Sequence, residues 1–180
     1  MKRLLVCLLL LLPALAVAKD WKVNATTSTL GFSGSYQGDP FHGTFKHFDA
    51  RIRFDPADLA TAAFDVTVDL ASVDTQSAER DQTLAGSDFF DSANTPKAHF
   101  VSTRFEKDAA GNILAHGTLS LHGIDKPVTL KVNFTPQGNA AQLTVTASLK
   151  RLDWALGTGE DWVDISPLIE VSSRLELAAP

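Results

Sequence analysis

The sequence predicts an all-β protein, an extended eight-stranded antiparallel barrel with one short helix between strands. Three observations carry this expectation. Apolar and polar residues alternate with a period of two over most of the chain, turn residues punctuate that alternation at regular intervals, and only one stretch has helical composition.

The clearest alternation is Phe64, Val66, Val68 and Leu70 on one face, with Asp65, Thr67 and Asp69 on the other. Earlier, Phe48, Ala50, Ile52 and Phe54 repeat it. Later runs place Ile113, Ala115, Gly117, Leu119 and Leu121, then Val128, Leu130, Val132 and Phe134, on a dry face. Leu143, Val145, Ala147 and Leu149 follow, and Ile169, Val171, Ser173, Leu175 and Leu177 end the series. One dry and one wet face is the signature of an antiparallel sheet, since parallel strands are apolar on both sides. Turn signals at Asp55-Pro56, Asn94-Thr95-Pro96, Gly111-Asn112, Gly123 to Pro127, Pro136 to Asn139 and Gly157-Thr158-Gly159 separate the runs. Strands are expected to begin near Trp21, Thr29, Gly43, Ala62, Lys97, Asn112, Pro127 and Gln142, with Pro167 to Leu177 closing the set; the treatment of Trp21 decides between eight and nine.

Thr75 to Ala85 breaks the alternation and carries helix formers. Asp74 or Thr75 is expected to cap a helix of two or three turns that stops at Gly86.

Residues 1–18 read as an export signal rather than as fold. Lys2 and Arg3 precede an apolar run from Leu4 to Leu12, and Ala16-Val17-Ala18 offers a small-x-small cleavage site. That run falls short of the ~20 residues needed to span a bilayer. The sole cysteine, Cys7, lies within it, so residues 19–180 form one cross-link-free domain, large enough for its own core. Without Lys2 and Arg3 the chain keeps 14 basic against 21 acidic residues. This balance, with no basic cluster longer than Lys150-Arg151, argues against nucleic acid as a partner.

Eleven phenylalanines and three tryptophans accompany a sheet that one short helix cannot cover. Closing the sheet on itself hides the dry face and removes the edges. Strands of ~8–10 residues at about 3.3 Å rise make a tube suited to a long, slender apolar guest. A barrel filled by its own side chains, or a two-sheet sandwich, satisfies the same pattern.

The residues expected around an interior space are Phe48, Phe64, Val66, Val68, Phe89, Phe90, His99, Phe100, Leu119, Leu121, Val132 and Trp154. His99 has two readings, a donor to a ligand oxygen or a histidine satisfied by a protein partner. Arg80 likewise either meets a ligand head group or forks onto a carboxylate such as Asp69, Asp74 or Asp153 to anchor the helix. No nucleophile elbow, phosphate loop or paired histidine motif occurs in the sequence, so neither catalysis, a cofactor nor a metal site is expected.

Several blocks resemble the YceI-like family. They are Gly43-Thr-Phe-Lys-His-Phe-Asp49, Ser72-Val-Asp-Thr-Gln-Ser-Ala-Glu-Arg-Asp-Gln-Thr-Leu84, Ser87-Asp-Phe-Phe-Asp91 and Pro96-Lys-Ala-His-Phe-Val-Ser-Thr103. Gly117 to Leu130 and Arg151-Leu-Asp-Trp154 continue the series in the same order over residues 20–177. The resemblance implies a lipocalin-like barrel, export to the periplasm, and binding of an isoprenoid (a polyprenyl or isoprenoid quinone chain) or a similar amphiphilic lipid. It also implies transient membrane contact and a monomer or homodimer. Three features set the chain apart within the family: Ala85-Gly86 stands where a basic residue and serine are frequent, Trp154 replaces Phe, and the Gly157-Thr-Gly-Glu-Asp-Trp162 loop is of the longer kind found in one branch, which implies Trp162 as a plug.

Overall fold

The computed structural model describes residues 18–179; the expected export signal lies outside them except for Ala18. Eleven strands form one sheet: β1 (Lys19–Val23), β2 (Thr29–Tyr36), β3 (Asp39–Phe45), β4 (Phe48–Phe54), β5 (Ala63–Asp69), β6 (Val73–Asp74), β7 (Lys97–Lys107), β8 (Ile113–Leu121), β9 (Ile124–Gln137), β10 (Ala140–Lys150) and β11 (Leu168–Ala178). The single α-helix, α1, spans Ala78–Ala85.

All pairings are antiparallel, and β1, β4, β5, β7, β8, β9, β10 and β11 close into a barrel where β1 meets β11. The three strands outside that ring are extensions of it. β1 and β2 run successively along β11, with Val23 opposite Leu177 and then Thr29 opposite Arg174. β3 pairs β2 and continues into β4 after a break at Lys46 and His47, while β6 follows β5 to pair β3. Eight staves therefore form the wall, as the sequence predicts, three of them broken. β10 and β11 pair over eleven residues, from Ala140 opposite Ala178 to Lys150 opposite Leu168. At ~3.4 Å per residue and ~40° tilt they reach about 26 Å along the axis.

Alternation sets which side chains point inward. On β10, Ala141, Leu143 and Ala147 are buried while Thr146, Ser148 and Lys150 are exposed. β7 is the exception that a strict period misses. Ala98 and Phe100 face inward, a bulge falls between Ser102 and Arg104, and Phe105 then faces inward on the opposite parity. The phenyl ring of Phe100 lies over Gly117, where a Cβ would meet its Cζ at 2.5 Å and the Val101 carbonyl at 2.4 Å. Glycine at 117 permits that approach.

One end of the tube is solid. Phe54 packs against Phe64, Phe105 and Phe134 at centroid distances of 5.7, 5.9 and 5.2 Å, and Trp21 meets Phe134 at 5.5 Å. Trp21 Nε1 donates to the Phe54 carbonyl at 2.9 Å, which satisfies the indole at the plug's edge.

The helix starts later than the sequence suggests. Val73 and Asp74 are held by β3, Asp74 accepts from Gln76 N and pairs with Lys46 Nζ at 2.8 Å, and Gln76 adopts a positive φ. The hydrogen bond from Lys46 holds the Asp74 carboxyl below its ordinary range. Ser77, neither Asp74 nor Thr75, is the N-cap, its hydroxyl accepting from Arg80 N at 3.4 Å. Asp81 ties the helix back to the chain before it, accepting from Thr75 N at 2.8 Å and from Thr75 Oγ1 at 2.6 Å. Gly86 stops the helix as expected.

Candidate functional site

Away from the aromatic plug the barrel is hollow. A cavity of about 700 Å³ occupies the remainder of its length, within the ~300–1,000 Å³ typical of small-molecule sites. Its floor is Phe64, the one member of the plug that reaches the cavity. Its walls are the inward rows of β4, β5, β8, β9, β10 and β11, which present Ile52, Val68, Leu119, Val128, Leu143 and Val171. An aromatic series runs up one side: Phe41 to Phe32 at 6.5 Å, Phe32 to Phe45 at 5.5 Å, and Phe45 to Phe90 at 5.9 Å.

Three elements frame the mouth. The β2–β3 hairpin contributes Tyr36, Gln37, Asp39 and Pro40; α1 contributes Glu79, Arg80, Thr83 and Leu84; the loop after β10 contributes Trp154, Leu156, Trp162 and Ile165. The loop is latched to both neighbours. Gly157 N donates to the Asp88 carbonyl at 2.6 Å, Trp162 Nε1 donates to Asp88 Oδ2 at 3.1 Å, and the Trp162 ring meets Phe89 edge-on at 5.0 Å. Across the mouth, Gln37 N donates to the Asp164 carbonyl at 3.0 Å and Ser166 N to Ser35 O at 2.8 Å.

Arg151 organises this loop from beneath. It is 6% exposed, and its Nη1 donates to the carbonyls of Leu156 and Gly157 while its Nη2 donates to those of Trp162 (2.9 Å) and Ile165 (3.3 Å). No carboxylate among the described residues pairs with it, its Nε–H has no partner, and burial pulls its pKa down. Gly157, at φ +62°, lies so close to Phe89 that a Cβ would meet the ring at 2.9 Å, so the loop needs glycine there both for conformation and for space.

Of the residues singled out from the sequence, Phe48, Phe64, Val66, Val68, Phe89, Phe90, Phe100, Leu119, Leu121, Trp154 and Arg80 all border this cavity. Three placements correct the sequence reading. Val132 is buried but outside the cavity lining, one inward position beyond Leu130 toward Phe134 and the plug. Asp153 is exposed on the 3-10 turn Arg151–Trp154 and neither lines the cavity nor pairs with Arg80. His99 borders the cavity through its strand, but Ala98 and Phe100 take the inward positions, leaving its ring half exposed outside with Nε2 2.8 Å from Asp65 Oδ1. The helix-anchoring reading of Arg80 also fails. Asp74 is taken by Lys46 and Asp69 accepts from Ala71 N, so Arg80 stands exposed at the mouth without an ion pair among the described residues.

Sequence reasoning missed Leu30, Phe32, Phe41, Phe45, Leu143 and Arg151 as lining residues. The alternation of β10 already carried Leu143, whereas Phe45 flanks the break at Lys46 and His47, and Phe32 and Phe41 lie within the glycine-interrupted strands β2 and β3, where apolar alternation is weak. Arg151 carried no local signal, because its acceptors are carbonyls of a loop folded back over it.

A closed antiparallel barrel with a blind, largely apolar cavity and a charged mouth has the shape of a small-molecule pocket. The chain belongs to the YceI-like family, whose domain model matches residues 21–177. Protein YceI of Escherichia coli is 39% identical over 133 residues, which covers 69% of this chain and 66%, just under two thirds, of that relative's length. The crystal structure of BcnA from Burkholderia cenocepacia superimposes with a TM-score of 0.81 at 26% identity, over 86% of this chain and 99% of that one. A polyisoprenoid binding domain from Saccharophagus degradans shares the fold, with a TM-score of 0.67 at 20% identity over 92% of this chain and all of that one.

Proposed function

We propose that this chain is an exported, periplasmic lipid-binding protein that encloses an isoprenoid tail, polyprenyl or quinone, and stores or ferries it through water. The observation that carries the reading is a blind cavity whose inward rows are apolar except for Ser173 on β11, with its charged residues gathered where it opens. A polyisoprenoid binding domain built on the same fold supports the ligand class.

The physics favours a chain over a compact molecule. Each buried methylene contributes ~0.8 kcal/mol, so a five-carbon isoprene unit contributes about 3–4 kcal/mol at most. A few units bring binding into the micromolar range once ordering costs are deducted. The walls supply transfer energy without direction, and Phe64 at the floor limits how far the tail enters. Arg80, exposed at the mouth and without an ion pair among the described residues, is where a charged or carbonyl-bearing head would emerge. Holding and releasing such a molecule requires no covalent step.

The decisive test is organic extraction and native mass spectrometry of the purified protein, paired with uptake of a fluorescent polyprenol. A co-purifying long-chain isoprenoid and saturable uptake are expected. Ala147→Trp, which fills the cavity from β10, should reduce uptake by more than about ten-fold, as several buried methylenes are displaced. Undiminished uptake by a folded Ala147→Trp protein would overturn the proposal.

A further inference from the structure

Five large apolar side chains are exposed among the described residues, and four of them surround the cavity's open end. Tyr36 is 41% exposed, Leu168 46%, Leu152 53% and Val163 71%; the fifth, Val101, lies on β7 in the outer wall. The four are neighbours through the backbone that joins them. Tyr36 bridges to Ile165, Arg151 N donates to Pro167 O at 3.1 Å, and Lys150 is the register partner of Leu168. Val163 lies between Trp162 and Ile165, which line the cavity, and is itself turned to solvent. The loop thus presents an apolar residue outward at the point where it also closes the cavity. Clustered exposure of this kind marks a contact surface, whereas scattered single residues do not.

Charge selects among occupants. Around the mouth Asp39, Glu79, Asp153, Glu160, Asp161 and Asp164 are exposed, against Arg80 on α1 and Lys150 at the end of β10, while the charge of Arg151 is buried underneath. Two copies meeting mouth to mouth would bring these acids against one another, and an anionic bilayer would repel them. An electrically neutral, zwitterionic bilayer imposes neither penalty and accepts the apolar side chains at its interface.

We propose that Tyr36, Leu152, Val163 and Leu168 form a collar that seats the open end of the barrel on a zwitterionic phospholipid surface. The proposal deepens the lipid-carrier reading and rests on it for its purpose. Seated this way, the mouth opens onto the acyl region, and the tail passes between bilayer and cavity without crossing water.

Cosedimentation of the purified protein with phosphatidylcholine vesicles tests the collar. The wild type should bind, and the double variant Leu152→Asp/Val163→Asp should bind about ten-fold more weakly. Val101→Asp, outside the collar, should bind like the wild type. Vesicles containing phosphatidylglycerol should bind less, with part of the loss recovered in salt. Neither Leu152 nor Val163 lines the cavity, so the double variant should still take up fluorescent polyprenol from solution. Absence of wild-type vesicle binding, or equal binding by all variants, would overturn the collar. A dimer in light scattering that the double variant dissolves would reassign the surface to a second copy and overturn it too. If vesicles bind as expected but the wild type takes up no polyprenol, the carrier reading fails and the docking surface stands.

Discussion

Two arginines at the mouth illustrate how little residue type alone decides. Arg80 is exposed on α1 with no ion-pair partner among the described residues; Arg151 is enclosed, with four N–H groups on loop carbonyls. Removing Arg80 leaves no buried group unsatisfied, so Arg80→Ala should alter stability by less than about 0.5 kcal/mol. It should weaken binding of a phosphate-headed prenyl ligand about two- to five-fold relative to the corresponding alcohol, the range of an exposed charge pair. Arg151→Met should instead cost about 2–4 kcal/mol in urea denaturation, because the carbonyls of Leu156, Gly157, Trp162 and Ile165 lose their shared donor. The comparison is checked on one preparation of each variant, and a reversed order of stability losses would contradict both assignments. The sequence left two readings of Arg80 open, and its anchoring reading fails because Asp74 and Asp69 are engaged elsewhere and exposed Asp153 does not pair with it. The acceptors of Arg151, by contrast, are main-chain atoms that no side-chain pattern records.

Strands were far more legible than their interruptions. Period-two alternation located β4, β5, β8, β9, β10 and β11 and their inward faces, because one residue of slip would turn a whole row of apolar side chains to water. The expectation of His99 at the cavity rests on the Pro96-to-Phe100 block rather than on alternation; its strand does border the cavity, but the inward parity of Ala98 and Phe100 turns its ring outward to Asp65. Alternation had no means of finding the bulge at Ser102–Arg104, which reverses that parity and delivers Phe105 to the plug. The helix was legible as composition but not as boundary, since pairing of Val73 and Asp74 with β3 overrides local helix preference. Its attachment is accordingly a tertiary matter. Asp81→Ala should cost about 1–3 kcal/mol, because it strands the N–H and hydroxyl of buried Thr75. Ser77→Ala, removing a longer cap bond of 3.4 Å, should cost only about 0.5 kcal/mol. Chemical denaturation of the two variants decides the order; a larger effect at Ser77 would make the cap the principal attachment.

At the scale of the whole molecule, the barrel divides its aromatic residues between two tasks at opposite ends. Trp21, Phe54, Phe64, Phe105 and Phe134 fill one end, while Phe32, Phe41, Phe45, Phe89 and Phe90 line or frame the hollow one. Composition announced many aromatic residues but not this division, which depends on where each inward row falls along the axis. Stability should therefore reside mainly in the plug and binding mainly in the cavity. Phe54, fully buried and touching three other phenylalanines, is the centre of the plug and does not line the cavity. Phe54→Ala should cost about 3–5 kcal/mol in urea denaturation, through lost transfer energy and the void left behind. Because that void adjoins Phe64, the variant should admit a longer isoprenoid tail, with affinity rising for polyprenols too long to seat fully in the wild type. A folded Phe54→Ala protein with unchanged chain-length preference would show that Phe64 alone sets the depth of the cavity and that the plug has no part in ligand selection.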